Sequence, residues 1–176
     1  MSVCNDRASP KLKLSNIEYI PTICASICIT EECISEFNRM RSAPEASRPK
    51  FIIFKITDDN QKIVVEDSSS DKIYNTFVSK LYYAGNPYHS APRYAVYNME
   101  YELGNEGKRS KTVFIHWDPS HSPLMQSRLY ASHAGQLQEA LGLDVLIYSD
   151  CWEELEWSVT LQELAEGLET GLIGDV

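Results

Sequence analysis

Histidine is the side chain this 176-residue chain would most readily use as a base, and it has four: His89, His116, His121 and His133. Catalysis by a nucleophile and a base needs both groups within hydrogen-bond reach in a cleft. His116 falls in a run that reads as a strand and His133 on the apolar stripe of a helix, so each reads as a packed histidine. No G-x-S-x-G elbow occurs. Gly104-x-x-Gly107-Lys108-Arg109-Ser110 has the glycines and cations of a phosphate loop, but it is shorter than the Walker pattern and joins two strands. Cys24, Cys28 and Cys33 have no standard zinc spacing and no histidine nearby. They read as small buried or half-buried thiols. The expectation is a non-enzyme with no catalytic residue, metal or cofactor.

The chemistry left is electrostatic. From Asp118 to Val176 the single Lys or Arg is Arg128, against eleven Asp and Glu, whereas Met1–Trp117 holds fifteen Lys and Arg and fourteen Asp and Glu. The formal charge of −9 therefore comes from the tail. Nucleic acid is excluded as a partner, because phosphate neutralisation needs clustered Lys and Arg. No apolar run approaches the roughly 20 residues of a spanning helix, and the start lacks a signal-peptide pattern. An odd count of five cysteines, no C-x-x-C and no Asn-x-Ser/Thr suit a reducing compartment. A cytoplasmic protein is expected. With 43% hydrophobic and 23% charged residues, one domain with a sizeable core is expected.

Residues 1–25 read as an extension with little structure of its own, residues 26–170 as the domain and 171–176 as a tail. Thr30 is an N-cap, Glu31 and Glu32 suit the first helical turn, and Cys33, Ile34, Phe37 and Met40 line one face. Phe51–Ile56 and Lys62–Glu66 flank Asp58-Asp59-Asn60 as a hairpin, and Asp67–Asp71 reads as a turn. Tyr74, Phe77, Val78 and Leu81 predict a second helix, and Tyr83–Pro92 a loop. Arg93–Leu103 alternates as a long strand, with Lys111–Trp117 its antiparallel partner across the Gly104–Gly107 turn. Ser122 caps the longest helix with Pro123 at its first position; its buried stripe is Leu129, Tyr130, His133, Leu137, Ala140 and Leu141, and Gly142 ends it. Leu143–Tyr148 reads as a buried strand, Trp152–Leu155 as a helical turn and Thr160–Leu168 as the closing helix. The pattern predicts an α/β or α+β layered domain.

Arg93-Tyr94-Ala95-Val96-Tyr97, GNEGKRSK over Gly104–Lys111, and Val113-Phe114-Ile115-His116-Trp117 together resemble the central hairpin of the actin-depolymerising factor/cofilin family, fungal members especially. Phe51–Lys55 with Ile63–Glu66 resembles that family's first hairpin, and Arg128-Leu129-Tyr130-Ala131-Ser132 its long helix. The resemblance covers about Ser26 to Leu168. It implies a mixed sheet of five or six strands flanked by helices, and binding to actin monomers and filaments as a monomer, by contact rather than chemistry, with filament severing and depolymerisation.

The resemblance further implies two actin-binding surfaces. One, used for monomer and filament alike, joins the N-terminal segment at Ser26 to the long helix at Met125, Ser127, Arg128 and Leu129, with Ala134 on the same exposed side. The second, needed for filaments, draws on Arg109 and Lys111 after the turn and on the closing helix at Glu163 and Glu166, where the family usually carries arginines. Charge reversal there sets glutamate against an acidic partner, which repels as well as leaving it unpaired. A second reading stays open: a cofilin-fold module that has lost severing and binds monomer weakly, or a basic protein partner. Phosphoinositide binding and phosphorylation at Ser26 are doubtful on this pattern. The nucleus stands as a second compartment beside the cytoplasm and actin cytoskeleton.

Overall fold

Alternation along one strand organises the molecule. In the computed structural model, which describes residues 27–84, 91–102, 107–160 and 162, the segment Arg93–Glu102 is a continuous strand. Tyr94 and Val96 enter one hydrophobic cluster, Ala95, Tyr97 and Met99 the other. Both faces of the strand are therefore covered, and the sheet sits between two helical layers. Strands run β1 (Cys28–Ile29), β2 (Phe51–Ile56), β3 (Lys62–Ser69), β4 (Arg93–Glu102), β5 (Lys108–Trp117) and β6 (Leu146–Ser149), and helices α1 (Glu31–Ser42), α2 (Tyr74–Tyr82) and α3 (Leu124–Leu141). The six-stranded sheet has the order β1-β3-β2-β4-β5-β6, parallel at β1–β3 and β5–β6 and antiparallel elsewhere. It is the mixed, helix-flanked sheet expected.

One layer packs α1 and α3 through Phe37, Met40, Tyr130 and Leu137 against Ile52, Phe54 and Phe114. The other packs α2 and the 3₁₀ turn Trp152–Leu155 through Phe77, Leu81 and Leu155 against Phe51, Ile53, Ile115 and Trp117. One extra residue in the ladder holds a buried ion pair. Phe54 pairs with Val65 and Ile53 with Asp67, so Glu66 is the unopposed residue of a β-bulge in β3. Its carboxylate takes both Arg93 Nε and Arg93 Nη2, the latter at 2.9 Å. That guanidinium is 8% exposed, so the pair neutralises a cation that burial would otherwise penalise.

Several boundaries differ from expectation. Asp67–Asp71 is not a turn at its start, because β3 continues to Ser69 on its ladder with β2. β5 begins three residues early, at Lys108, which pairs with Glu102; the left-handed φ of 83° falls on Gly107. Residues 103–106 lie outside the described residues, as does most of the predicted 83–92 loop. Pro123, not Ser122, occupies the N-cap of α3, and Leu124 is its first residue. On α3 the buried residue is Ala134 and not Ala140, which is exposed. Ala134 thus does not belong to an outward face. β6 starts at Leu146 and is half-covered, with Leu146 and Tyr148 exposed, because it is a sheet edge. The closing helix starts at 157. β1 was not foreseen at all.

Candidate functional site

The rotation of α3 about its axis is set by two buried hydrogen bonds. Tyr130 Oη accepts the Ile56 N–H at 2.8 Å, and Tyr94 Oη donates to the Tyr130 carbonyl at 2.6 Å. With Tyr130 inward, 3.6-residue periodicity turns the opposite side of the first two turns to solvent. Leu124 is 64% and Met125 62% exposed, and Arg128 is exposed beside them. Leu129 is half-buried against the α1/α3 core. Ser127 is half-buried too, its hydroxyl donating to Asp118 Oδ1 at 2.9 Å. Ser26 lies outside the described residues. Its neighbour Ile27 is buried, and Gln136 Nε2 donates to the Ile27 carbonyl at 2.7 Å, which brings the start of the described chain against α3.

Arg109 and Lys111 lie at the start of β5, opposite Tyr101 and Met99. Strand alternation puts both on the side of Val113, Ile115 and Trp117, the α2 layer, so the two expected surfaces fall on opposite layers of the sheet. Arg109 is exposed, while Lys111 is half-buried with its Nζ 3.8 Å from Asp144 Oδ2. Around this end of the hairpin is a cleft of about 370 Å³ whose lining includes Arg48, Lys50, Lys72, Lys108 and Arg109, with Glu45 and Glu100 as its acids. Lys50 Nζ donates to Glu100 at 2.8 Å and Lys72 Nζ to Glu45 at 2.7 Å. The hydrogen bond from Lys50 holds the Glu100 carboxyl below its ordinary pKa. The cleft keeps a cationic surplus in an acidic protein. Sequence spacing brings together Lys108 with Arg109 and Arg48 with Lys50; the fold brings these two pairs and Lys72 to one cleft.

Glu163 and Glu166 lie outside the described residues. The helical turn at 157–160 packs on the α2 layer: Trp157 sits against that core, and Thr160, fully buried, accepts or donates with Tyr74 Oη at 3.2 Å. Of the described histidines, His121 is exposed while His116 and His133 are packed into the fold. His116, 4% exposed, lies between the rings of Tyr94 and Tyr148, centroids 5.6 and 5.3 Å away. Burial pushes its pKa down, against the pull of Asp118. His133 Nδ1 donates to the Leu129 carbonyl at 2.9 Å inside α3. Cys33 is a buried thiol bonded to the Ile63 carbonyl at 3.3 Å, and Cys28 is half-buried. Cys24 is outside the described residues. No described helix is long and apolar enough to cross a membrane. The arrangement presents a largely apolar exposed side of α3 that carries Arg128, and a cationic cleft beside the β4–β5 hairpin.

Residues 26–165 match the family described as cofilin/tropomyosin-type actin-binding protein. The chain is 32% identical to the cofilin of Saccharomyces cerevisiae over 145 residues, covering 81% of this chain and 95% of that one. It is 33% identical to the cofilin of Yarrowia lipolytica over 145 residues, covering 81% and 89%. Among solved structures, Streptomyces griseoflavus cofilin superposes with a TM-score of 0.69 at 28% identity, over 80% of this chain and 98% of that one. A mixed six-stranded sheet between helical layers, this coverage and this identity lead to one conclusion: the chain belongs to the cofilin/tropomyosin-type actin-binding proteins.

Proposed function

We propose that this protein binds actin monomers through the outer side of α3 and filaments by adding the tip of the β4–β5 hairpin, and that it acts by contact, not catalysis, in the cytoplasmic actin cytoskeleton. The observation that carries the reading is the cationic cleft at that tip. Arg109 stands exposed beside Lys108, in a molecule whose net charge is −9. A polymer with an acidic surface is drawn to a cationic cleft in an otherwise acidic protein. Leu124, Met125 and Arg128 supply a mostly apolar first contact, which the hairpin tip extends on the other layer of the sheet. Severing and depolymerisation would follow from a changed filament twist.

Filament co-sedimentation in a salt series tests this. Saturable pelleting that weakens as salt rises supports it, because contacts between exposed charges are screened beyond about 8 Å at physiological ionic strength. No pelleting at low salt favours the second reading, a monomer binder without severing. One feature supports that alternative: Lys111, half of the expected basic pair, faces Asp144 of its own chain.

A further inference from the structure

Away from both surfaces, the C-terminal end of α2 and the 152–155 turn enclose a groove of about 300 Å³ lined by Val78, Ser79, Tyr82, Tyr83 and Trp152. Three of these five are large aromatics left open to solvent: Tyr82 is 42%, Tyr83 59% and Trp152 51% exposed. Isolated exposed apolar residues are ordinary, but a concave cluster of aromatic rings marks an interaction surface. The rings are held in place. Tyr82 and Tyr83 meet edge to face with centroids 5.0 Å apart, and Tyr82 rests 6.3 Å from the buried ring of Trp117. Neither α3 nor the hairpin tip contributes to the groove.

The chain on either side of Trp152 is acidic. Asp150 and Glu153, both exposed, and Glu154, half-buried, bracket it, and no lysine or arginine occurs after Arg128. Their field reaches the sheet edge: burial first, then the carboxylates of Asp118, Asp150 and Glu154, push the Tyr148 phenol up.

We propose that this groove docks a proline-rich segment of a partner protein that carries lysine or arginine beside its prolines. A polyproline II segment has no internal hydrogen bonds and presents pyrrolidine faces and bare carbonyls. Aromatic side chains offer it both flat apolar surface and hydrogen-bond donors, from Tyr83 Oη–H and Trp152 Nε1–H. An amphipathic helix would need a longer groove, to seat anchors several turns apart. The carboxylates next to Trp152 in the chain select a cationic flank.

Calorimetric titration of the full chain with a short proline-rich peptide bearing arginines at both ends tests the proposal, against the same peptide with glutamates. The arginine peptide binds saturably and more weakly as salt rises. Trp152→Ala and, independently, Tyr83→Ala each lower affinity by at least about tenfold, the loss typical of an aromatic anchor. Both rings are half exposed, and unchanged thermal unfolding of either variant shows that the fold survives. Absence of binding, affinity within twofold in both variants, or equal binding of the glutamate peptide overturns it. So does concentration-dependent self-association that Trp152→Ala abolishes without any peptide uptake, which would make a second copy the occupant.

Discussion

The outer side of α3 and the tip of the β4–β5 hairpin are both presented by the same sheet, yet they offer a partner opposite kinds of contact. The α3 side is apolar at Leu124 and Met125 and carries one guanidinium, Arg128; the tip gathers five bases with two acids around one cleft. An apolar contact gains from burial and is nearly blind to salt, whereas a rim of charge sets approach rate and orientation and fades with ionic strength. The two surfaces should therefore respond to different perturbations, and that separation can be broken or sharpened experimentally.

The largest expected effect is one that erases the difference. Glu66→Ala leaves the buried Arg93 guanidinium without its carboxylate, at a cost of about 3–5 kcal/mol. Chemical denaturation should show that loss, and monomer and filament binding should fall together wherever the folded fraction falls. A loss under 1 kcal/mol would mean that Arg93 is compensated by the Pro92 carbonyl it also contacts.

Arg109→Glu should split the two surfaces. Filament co-sedimentation drops about tenfold or more, since reversal adds repulsion to the lost attraction, while monomer affinity stays within about twofold. Equal losses in both assays would remove the hairpin tip from the filament contact. Conversely, Met125→Lys adds to α3 a charge that an acidic partner rewards, and should raise monomer affinity about three- to tenfold. The matching change at Ser127 gains less, because it gives up the hydrogen bond to Asp118. No gain at Met125 would argue against α3 as the contact.

The smallest effect concerns pH and neither surface directly. His116 is neutral in the fold because burial holds its pKa below the ordinary value. The unfolded chain therefore takes up a proton before the folded one does. Stability is complete above about pH 6.5 and declines as pH falls through that value, by at most about 1.4 kcal/mol per pH unit until His116 itself titrates. His116→Phe keeps a ring between Tyr94 and Tyr148 and should flatten the decline in thermal melts from pH 7 to 5. An unchanged slope would place the acid sensitivity elsewhere.

Much of the fold was legible because strong periodicity needs only local information. β4, α1 and α2 follow from alternation or helical spacing and from Thr30 at an N-cap, and β2 from its continuous β-branched and aromatic run. What escaped depends on neighbours distant in sequence. Two residues of β1 carry no period, and exist as a strand because Cys28 and Ile29 find Lys62 and Ile63 beside them. Leu143–Tyr148 looks like a core strand, but apolarity does not say which side is covered, and an edge leaves Leu146 and Tyr148 in water. Alanine is too small to fix a helix phase, so Ala134 and Ala140 were exchanged. Of the site, the charge asymmetry and the place of Arg109 were readable. The pairing of Lys111 with Asp144, of Ser127 with Asp118 and of Gln136 with Ile27 was not, since each joins groups whose separation only the fold sets.

The bulge at Glu66 has an evolutionary corollary. A single codon lost there would keep Val65 opposite Phe54 and Asp67 opposite Ile53, so the ladder would close over the gap, but it would strip the buried Arg93 of its counter-ion. Rim charges can drift singly at small cost to the fold, whereas Glu66 can be lost only together with a change at Arg93. Variation among relatives should thus accumulate on the exposed surfaces and alter Glu66 and Arg93 as a pair.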